Sequence, residues 1–177
     1  MRALVAFLLI LAAAAHAAPV ARISPAIAEL QSGVICPPPT VAKQDAPDTV
    51  AGSMNLIDEN PPFISNNHAV PAVVGIGFGV KARAEDLAGI PDVTMTVTHP
   101  PMGPDGTTQQ SFPTRIRGGD LSLIFYQFDY RYELLPGEWT MTASAGGEVL
   151  YVARFIVVPP QLAPELARVC GYEDLLS

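Results

Sequence analysis

Charged residues are scarce in this chain. They make up 15% of its 177 residues, and lysine occurs only at Lys43 and Lys81. The ten basic residues face seventeen acidic ones, for a net charge of −7, and their densest group is the pair Arg115 and Arg117. Surfaces that bind nucleic acid or anionic headgroups need clustered basic side chains. The composition therefore argues against both kinds of partner.

Long apolar runs are also few. The one that stands out, Ala3–Ala14, follows the basic Arg2 and is shorter than the ~20 residues that span a bilayer. It ends at Ala15-His16-Ala17, the small-x-small pattern that signal peptidase recognises. We predict that residues 1–17 are a signal peptide. Export to the periplasm is the first expectation and secretion the alternative. The mature chain is expected to be soluble, with no membrane span.

Segments able to form a long helix are missing. All eighteen prolines follow the leader, about 11% of the remaining chain against about 5% in an average protein. Proline breaks helices, and these residues cluster in 37–71, 100–113 and 159–164. The clusters predict loops, and the stretches between them are left for strands.

Alternating or β-branched sequence predicts strands between the proline clusters. The clearest case is Val93–Thr98, where apolar residues alternate with threonines. The other predicted strands are Ile27–Cys36, Gly52–Ile57, Ala72–Val80, Ser111–Ile116, Leu121–Phe128, Trp139–Ala145 and Glu148–Val158. Seven or eight strands without a crossover helix predict an all-β fold, a single antiparallel immunoglobulin-like β-sandwich. A closed barrel is the alternative.

The predicted domain boundaries follow from this pattern. We expect the sandwich to span residues 18–160, with a proline-rich loop region at 37–71. A C-terminal tail at 161–177 follows, in which Pro164–Arg168 predicts one short helix.

Cysteine is nearly absent. Cys36 and Cys170 are the only two, and an even pair in an exported protein favours a disulfide. Two free buried thiols and an intermolecular bridge are the alternatives. A metal site is a poorer interpretation, because neither cysteine has a partner at zinc-ligand spacing.

Three glycines alternate within a predicted strand. Gly75, Gly77 and Gly79 share one face, so that face has no side chains. A bare face predicts close approach by another backbone or side chain. The spacing does not fit a dinucleotide-binding loop, which precedes a helix.

Three segments together resemble a known bacterial family. They are Gly75–Val80, His99–Gly106 and Glu133–Thr140, and the most specific piece is Leu134-x-Pro136-Gly137-x-Trp139. The chain is similar, from roughly Ile27 to Val158, to an uncharacterised exported family known as domain of unknown function 3859. The resemblance implies a β-sandwich in an exported bacterial protein, and it implies no activity.

Candidate metal ligands lie next to one proline pair. His99 and Met102 flank Pro100-Pro101 in a segment predicted to be a turn-rich loop, and histidine with methionine suits copper in exported proteins. A small metal- or ligand-binding protein is therefore the alternative function. No cofactor is assigned.

Catalytic patterns are weak. No serine occupies a nucleophile elbow, and a hydrolase built from His99, Asp105 and Ser111 ranks third. No catalytic residue is assigned.

Aromatic residues cluster late in the chain. Trp139 and one set of the alternating aromatics around Phe128 are expected in the core. Tyr130, Arg131 and Tyr132 form the candidate binding surface, because an arginine between tyrosines can stack and hydrogen-bond at an interface. The sequence therefore predicts a non-catalytic binding or structural module of the bacterial envelope, with another envelope protein as its partner.

Overall fold

The computed structural model describes residues 20–171. The predicted signal peptide and the end of the predicted tail, residues 172–177, lie outside the described residues. Within the described part, the chain forms eleven strands and three short helices. None of these helices has the length and apolarity needed to cross a bilayer.

The larger sheet has six strands. They are β1 (Val20–Ile23), β5 (Ala69–Pro71), β7 (Ile90–Met102), β8 (Thr107–Ile116), β10 (Gly137–Ala145) and β11 (Glu148–Val158). Five of them run in the order β1-β11-β10-β7-β8 with antiparallel neighbours. The short β5 pairs in parallel with β11, the one parallel pair among the described strands.

The second sheet and a separate hairpin complete the strands. The second sheet contains β2 (Ile27–Ile35), β6 (Gly77–Ala84) and β9 (Ser122–Gln127), in the antiparallel order β2-β6-β9. The hairpin joins β3 (Ala42–Asp45) to β4 (Ser53–Leu56). The helices are the 3-10 turns Arg131–Glu133 and Pro160–Leu162, and α1 (Pro164–Val169).

The topology is immunoglobulin-like. The seven long strands β2, β6, β7, β8, β9, β10 and β11 correspond in chain order to strands A–G of that fold. The first, second and fifth share one sheet, and the third, sixth and seventh share the other, as in immunoglobulin domains. The fourth strand, β8, has moved to the sheet of its hairpin partner β7. The two sheets share no strand pairing within the described residues, which confirms the predicted sandwich and excludes the closed barrel.

The proline-rich region at 37–71 contains more strands than the sequence analysis predicted. The structure has three short strands that the sequence analysis did not predict, β1, β3 and β5, and the last two lie within residues 37–71. They are three or four residues long. Strands this short leave almost no periodic signal. The short C-terminal helix and the hairpin at Gly146-Gly147 are as predicted.

Aromatic residues from both sheets fill the core. Trp139 of β10 is fully buried and meets Phe78 of β6 edge-on, with ring centroids 5.7 Å apart. Phe128 lies 5.6 Å from Trp139, and Phe155 lies 4.8 Å from Phe78. The Trp139 indole donates a 3.0 Å hydrogen bond to the Leu135 carbonyl, so its polar group is satisfied. The core predicted from Trp139 and one of the alternating aromatic sets is confirmed, and the buried set is the one that contains Phe128.

The bare glycine face is covered as expected. A side chain at Gly79 would meet the Ile124 carbonyl and the Phe125 backbone at 2.6 Å. On the neighbouring strand, a side chain at Gly33 would collide with Ser65 and would lie 3.0 Å from the Phe63 ring. The prediction of close approach is confirmed for Gly79 and for Gly77, whose added side chain would lie 2.7 Å from the Pro37 ring, whereas Gly75 lies before the strand.

The sequence analysis predicted a strand at Ala72–Val80, whereas the observed strand β6 begins only at Gly77. Residues before Gly77 turn instead, with the Val73 amide bonded to the Pro71 carbonyl and the Ile76 amide to the Val73 carbonyl. Gly75 has a φ of +93°, which suits a turn and not a strand. The segment is apolar because the turn is partly buried, and apolarity alone does not distinguish the two.

The disulfide is present between Cys36 and Cys170. Their Cα atoms are 5.3 Å apart, and the bond closes a separation of 134 residues. It attaches the segment after β2 to the C-terminal end of α1. The pairing first expected from the sequence is confirmed.

Candidate functional site

A groove opens along one side of the sandwich. It has a volume of about 690 Å³ and lies between the last strands of the two sheets, β8 and β9, with the β3–β4 hairpin as its third wall. This volume falls within the ~300–1,000 Å³ of typical ligand pockets. Its walls combine apolar and polar side chains, among them Leu56, Phe112, Asn55 and Gln127.

A smaller groove of about 310 Å³ continues the first. Both are lined by Ile57, Thr114, Arg115 and Leu123. The two therefore form one channel along β9, which we call the β9 groove.

Gln110 connects the floor of the β9 groove to the core. This side chain on β8 is 3% exposed, and its Oε1 accepts a 2.7 Å hydrogen bond from the Val50 amide. That bond fixes the orientation of the side-chain amide, so Nε2 must donate. Nε2 lies 2.9 Å from His99 Nε2 and 3.5 Å from the Tyr126 hydroxyl. The same residue thus anchors the turn beneath the hairpin and links two buried polar groups.

The network ends on a buried carboxylate. The Tyr126 hydroxyl donates to Glu133 Oε1 at 2.8 Å, and Glu133 is only 4% exposed. Its other oxygen accepts the amides of Asp129 and Tyr130 at 2.6 and 2.7 Å. Every step has a defined donor and acceptor, so these side chains form a rigid floor.

Electrostatics at this floor follow from burial. Burial raises the pKa of the Glu133 carboxyl, and its hydrogen bonds from Tyr130, Tyr126 and Asp129 oppose that rise. Burial also raises the pKa of Tyr126, reinforced by the neighbouring Glu133 charge. The phenol therefore remains a hydrogen-bond donor at physiological pH.

His99 and Met102 lie in a strand, which corrects the prediction of a loop. Both belong to β7 and are 6% and 1% exposed. Pairing with β10 stops at Thr98, and the register with β8 shifts between Thr98 and Met102. Pro100 and Pro101 therefore occupy an irregular strand end, where the missing amide hydrogens cost little.

The two candidate metal ligands do converge. His99 Nε2 and Met102 Sδ approach the same atom, Gln110 Nε2, at 2.9 and 3.9 Å. His99 Nδ1 donates to the Pro100 carbonyl at 2.8 Å, so the ring is neutral and both nitrogens are engaged. Burial lowers the pKa of His99, and the Pro100 hydrogen bond opposes the shift. No group of three or more histidine, cysteine or acidic side chains within the described residues could hold a metal ion.

Tyr130 and Tyr132 form a surface pair beside the network. Their rings stack 5.2 Å apart, tilted by only 8°, and both are about two-fifths exposed, at 42% and 41%. Arg131 between them is also exposed. Asp129 and Glu133, the residues on either side of these three in the sequence, line the β9 groove, whereas Tyr130, Arg131 and Tyr132 do not.

A serine and a histidine meet elsewhere, between the two sheets. Ser32 on β2 lies 2.9 Å from His68 Nε2, and His68 Nδ1 lies 2.5 Å from the Arg154 carbonyl. The carbonyl can only accept, so Nδ1 carries the proton and Ser32 donates to Nε2. The ring also stacks on Phe155 with centroids 4.7 Å apart. This pair ties the two sheets together, and it is not the His99, Asp105 and Ser111 combination considered from the sequence.

The sequence analysis missed Gln110, Tyr126 and Glu133 as a site. Glu133 follows Tyr130 by three residues, but Tyr130 is not the serine or threonine of a capping box, so this spacing carries no clear signal. Gln110 gave no signal, because only the pairing of β7 with β8 brings it beside His99.

Two sheets of mainly antiparallel strands pack around an aromatic core. This arrangement defines an immunoglobulin-like β-sandwich. The family model described as "Domain of unknown function (DUF3859)" matches residues 24–157, and the chain belongs to this family. The chain is also similar to an immunoglobulin-like protein from Pseudomonas aeruginosa, with 20% identity and a TM-score of 0.49. That similarity covers 80% of this chain and 98% of the Pseudomonas chain. None of the curated proteins matches the sequence.

Proposed function

We propose that this protein is an exported, non-catalytic binding module of the bacterial envelope, and that the β9 groove is its ligand site. The observation that carries the proposal is the combination of an open groove with a fixed polar floor. Gln110, Tyr126 and Glu133 are held by directed hydrogen bonds from core to groove. A preorganised concave surface of this kind reduces the entropy lost on binding.

The proposal of a non-catalytic role is supported by the hydrogen bonds that the polar side chains already make. The buried carboxylate of Glu133 already accepts three hydrogen bonds, and both His99 nitrogens are engaged. The Ser32 and His68 pair lines neither part of the β9 groove. A catalytic base must instead reach the proton of a bound substrate.

Export is supported by the leader pattern and by the disulfide. Disulfides persist in oxidising compartments such as the periplasm, and Cys36 is bonded to Cys170. The test is the amino terminus of the protein recovered from the envelope fraction. We expect it to begin at Ala18, and an intact Met1 would contradict export through signal cleavage.

Photo-crosslinking in living cells tests the groove as the ligand site. A photoreactive amino acid at Leu56, on the groove wall and 37% exposed, should give discrete adducts. The matched control is Leu87, which is 84% exposed and lies outside both groove linings. Equal adducts at both positions, or none at Leu56, would contradict the proposal.

Copper binding is the second candidate, because His99 Nε2 and Met102 Sδ face a common point. Gln110 occupies that point, so a metal ion would have to displace its amide. Copper(I) titration of the wild type and of Gln110→Ala, read by Trp139 fluorescence, tests it. Stoichiometric binding that is lost in His99→Gln supports this candidate, and no binding by either protein removes it.

A further inference from the structure

We propose that the β9 groove binds an extended segment of a partner protein, which adds as a new strand to the outer edge of β9. This inference rests on the proposed function, since it names the class of ligand for the same groove. The segment has apolar side chains and at least one basic residue.

The direction of the backbone groups on β9 follows from the residue after it. The Phe128 amide donates to the Ile76 carbonyl at 3.0 Å, and the Phe128 carbonyl accepts from the Gly75 amide at 2.7 Å. In antiparallel pairing, both groups of one residue point to the same side, and alternate residues point to opposite sides. Ile124 and Tyr126 therefore bond to β6.

Leu123, Phe125 and Gln127 consequently point their amides and carbonyls away from β6. Leu121 and Asp129 flank β9 and are also odd-numbered, and their backbone groups point in the same outward direction. The Leu121 carbonyl accepts from the Asn60 side chain at 3.2 Å, and the Asp129 amide donates to Glu133. Between these anchored ends, β9 is the last strand of its sheet, and its outer edge pairs with no strand of the described residues.

The opposite wall of the groove is closed to strand addition. On β8, the Ser111 amide already donates to the Asp48 carbonyl at 3.2 Å. Pro113, two residues on and facing the same edge, has no amide hydrogen. Occupied amides and edge prolines are devices that protect sheet edges. The sequence of β9, Ser122–Gln127, contains no proline, glycine or charge. Of the two strands that border the groove, β9 is therefore the one with an unprotected edge.

The remaining wall leaves a channel beside this edge. The Asn55 side chain bonds to Asp129 at 2.7 Å, and the Asn60 side chain reaches Leu121. Residues 55–60 thus run opposite to β9 and touch its two ends through side chains. The groove along β9 between these two contacts is the space that we assign to the added strand.

Charge favours a basic segment. Three carboxylates line the larger part of the groove, those of Asp92, Asp129 and Glu133, against the single guanidinium of Arg115. Burial raises the pKa of Asp129, and both the Lys43 charge and the Asn55 hydrogen bond oppose that rise. A lysine or arginine on the added strand would complement this excess.

Peptide titration followed by amide NMR tests the inference on the full mature protein. The probe is a heptapeptide of alternating valine and threonine with a lysine at each end, acetylated and amidated. We expect saturable shifts at the amides of Leu123, Phe125 and Gln127. The same peptide with every amide N-methylated should bind at least about tenfold more weakly, because it cannot pair with the edge. A glutamate-ended version should also bind more weakly.

A protein variant isolates the edge. Phe125→Pro removes one outward amide hydrogen and leaves the β6 hydrogen bonds in place, so it should weaken peptide binding about tenfold. Phe125→Val is the matched control, because it removes the ring and keeps the amide. If Phe125→Pro lowers the melting temperature strongly, Gln127→Pro replaces it as the test variant.

Several outcomes would overturn strand addition. They are absent peptide binding, equal binding of the N-methylated peptide, unchanged affinity in the proline variants, and dimerisation of the protein through β9. If crosslinks at Leu56 persist in any of these cases, the groove remains a ligand site and only the class of ligand is wrong. Loss of those crosslinks as well would contradict the proposed function itself.

Discussion

The Tyr126 hydroxyl donates a 2.8 Å hydrogen bond to Glu133 Oε1 where the aromatic core meets the β9 groove. The tyrosine ring packs 5.1 Å from Trp139, so the same residue is part of the core and of the groove floor. Stability of the sandwich and shape of the candidate site therefore depend on one side chain.

Removing the Tyr126 hydroxyl should destabilise the protein. Tyr126→Phe leaves a buried carboxylate oxygen without its donor, which costs about 1–3 kcal/mol. Urea unfolding measures the free energy of unfolding. Tyr151→Phe is the matched control, because the buried Tyr151 hydroxyl has no hydrogen-bond partner among the described residues. That variant should be neutral or slightly more stable, and equal losses in both variants would contradict the network.

Stability should depend on pH through His99. Burial lowers the pKa of His99 in the folded protein below 6.5. Below pH 6.5 the unfolded chain therefore binds a proton that the folded protein does not, so the free energy of unfolding falls as pH decreases. Glu133, whose pKa is raised from 4.5, acts in the opposite direction, because its stabilising contribution is lost as pH rises.

The variant His99→Gln separates the two effects. It should unfold with a weaker dependence on pH between about 7.5 and 5.5 than the wild type, since the titrating ring is gone. Chemical unfolding at several pH values measures this slope. An unchanged slope in the variant would show that His99 is not the buried neutral group described above.

Adding a methyl group should be severe at Gly79 on the glycine face and harmless at Gly119, which lies between β8 and β9 outside that face. Gly79→Ala places a methyl group 2.6 Å from the Phe125 backbone, so the β6–β9 pair must separate. We expect a loss of more than about 2 kcal/mol or failure to fold. Gly119→Ala meets nothing within 4 Å and should be near neutral. Similar melting temperatures for the two variants would contradict this packing.

Loss of the disulfide should destabilise without changing the core. Cys36→Ser with Cys170→Ser removes the bond that closes 134 residues, at a typical cost of about 2–5 kcal/mol. Urea unfolding should show a lower midpoint, and Trp139 fluorescence of the folded state should be unchanged. A midpoint equal to that of the wild type would show that the bond adds nothing to stability.

Much of the fold could be predicted because local patterns and tertiary packing agree. The threonine alternation in Val93–Thr98 and the Gly146-Gly147 turn reflect one buried face and one tight hairpin, and both are recorded in a few adjacent residues. The disulfide followed from the even number of cysteines and from the predicted export alone. Ala72–Val80 misled because a partly buried turn is as apolar as a strand.

The candidate site could be predicted only in part. Tyr130, Arg131 and Tyr132 stay a predicted binding surface, and they neighbour in sequence the groove residues Asp129 and Glu133 without lining the groove themselves. The floor itself depends on register, since Gln110 reaches His99 only through the pairing of β7 with β8. Long-range pairing of this kind is not visible in a single sequence. His99 was noticed for the metal chemistry of histidine, whereas the structure uses it as a neutral acceptor.

Hydrogen exchange of the β9 amides in the ligand-free protein tests the open edge most directly. The amides of Ile124 and Tyr126 bond to β6 and should be strongly protected. Those of Leu123, Phe125 and Gln127 point into the groove and should exchange much faster, giving an alternating pattern along the strand. Uniform protection of all five amides would show that the edge is already paired and would contradict the account.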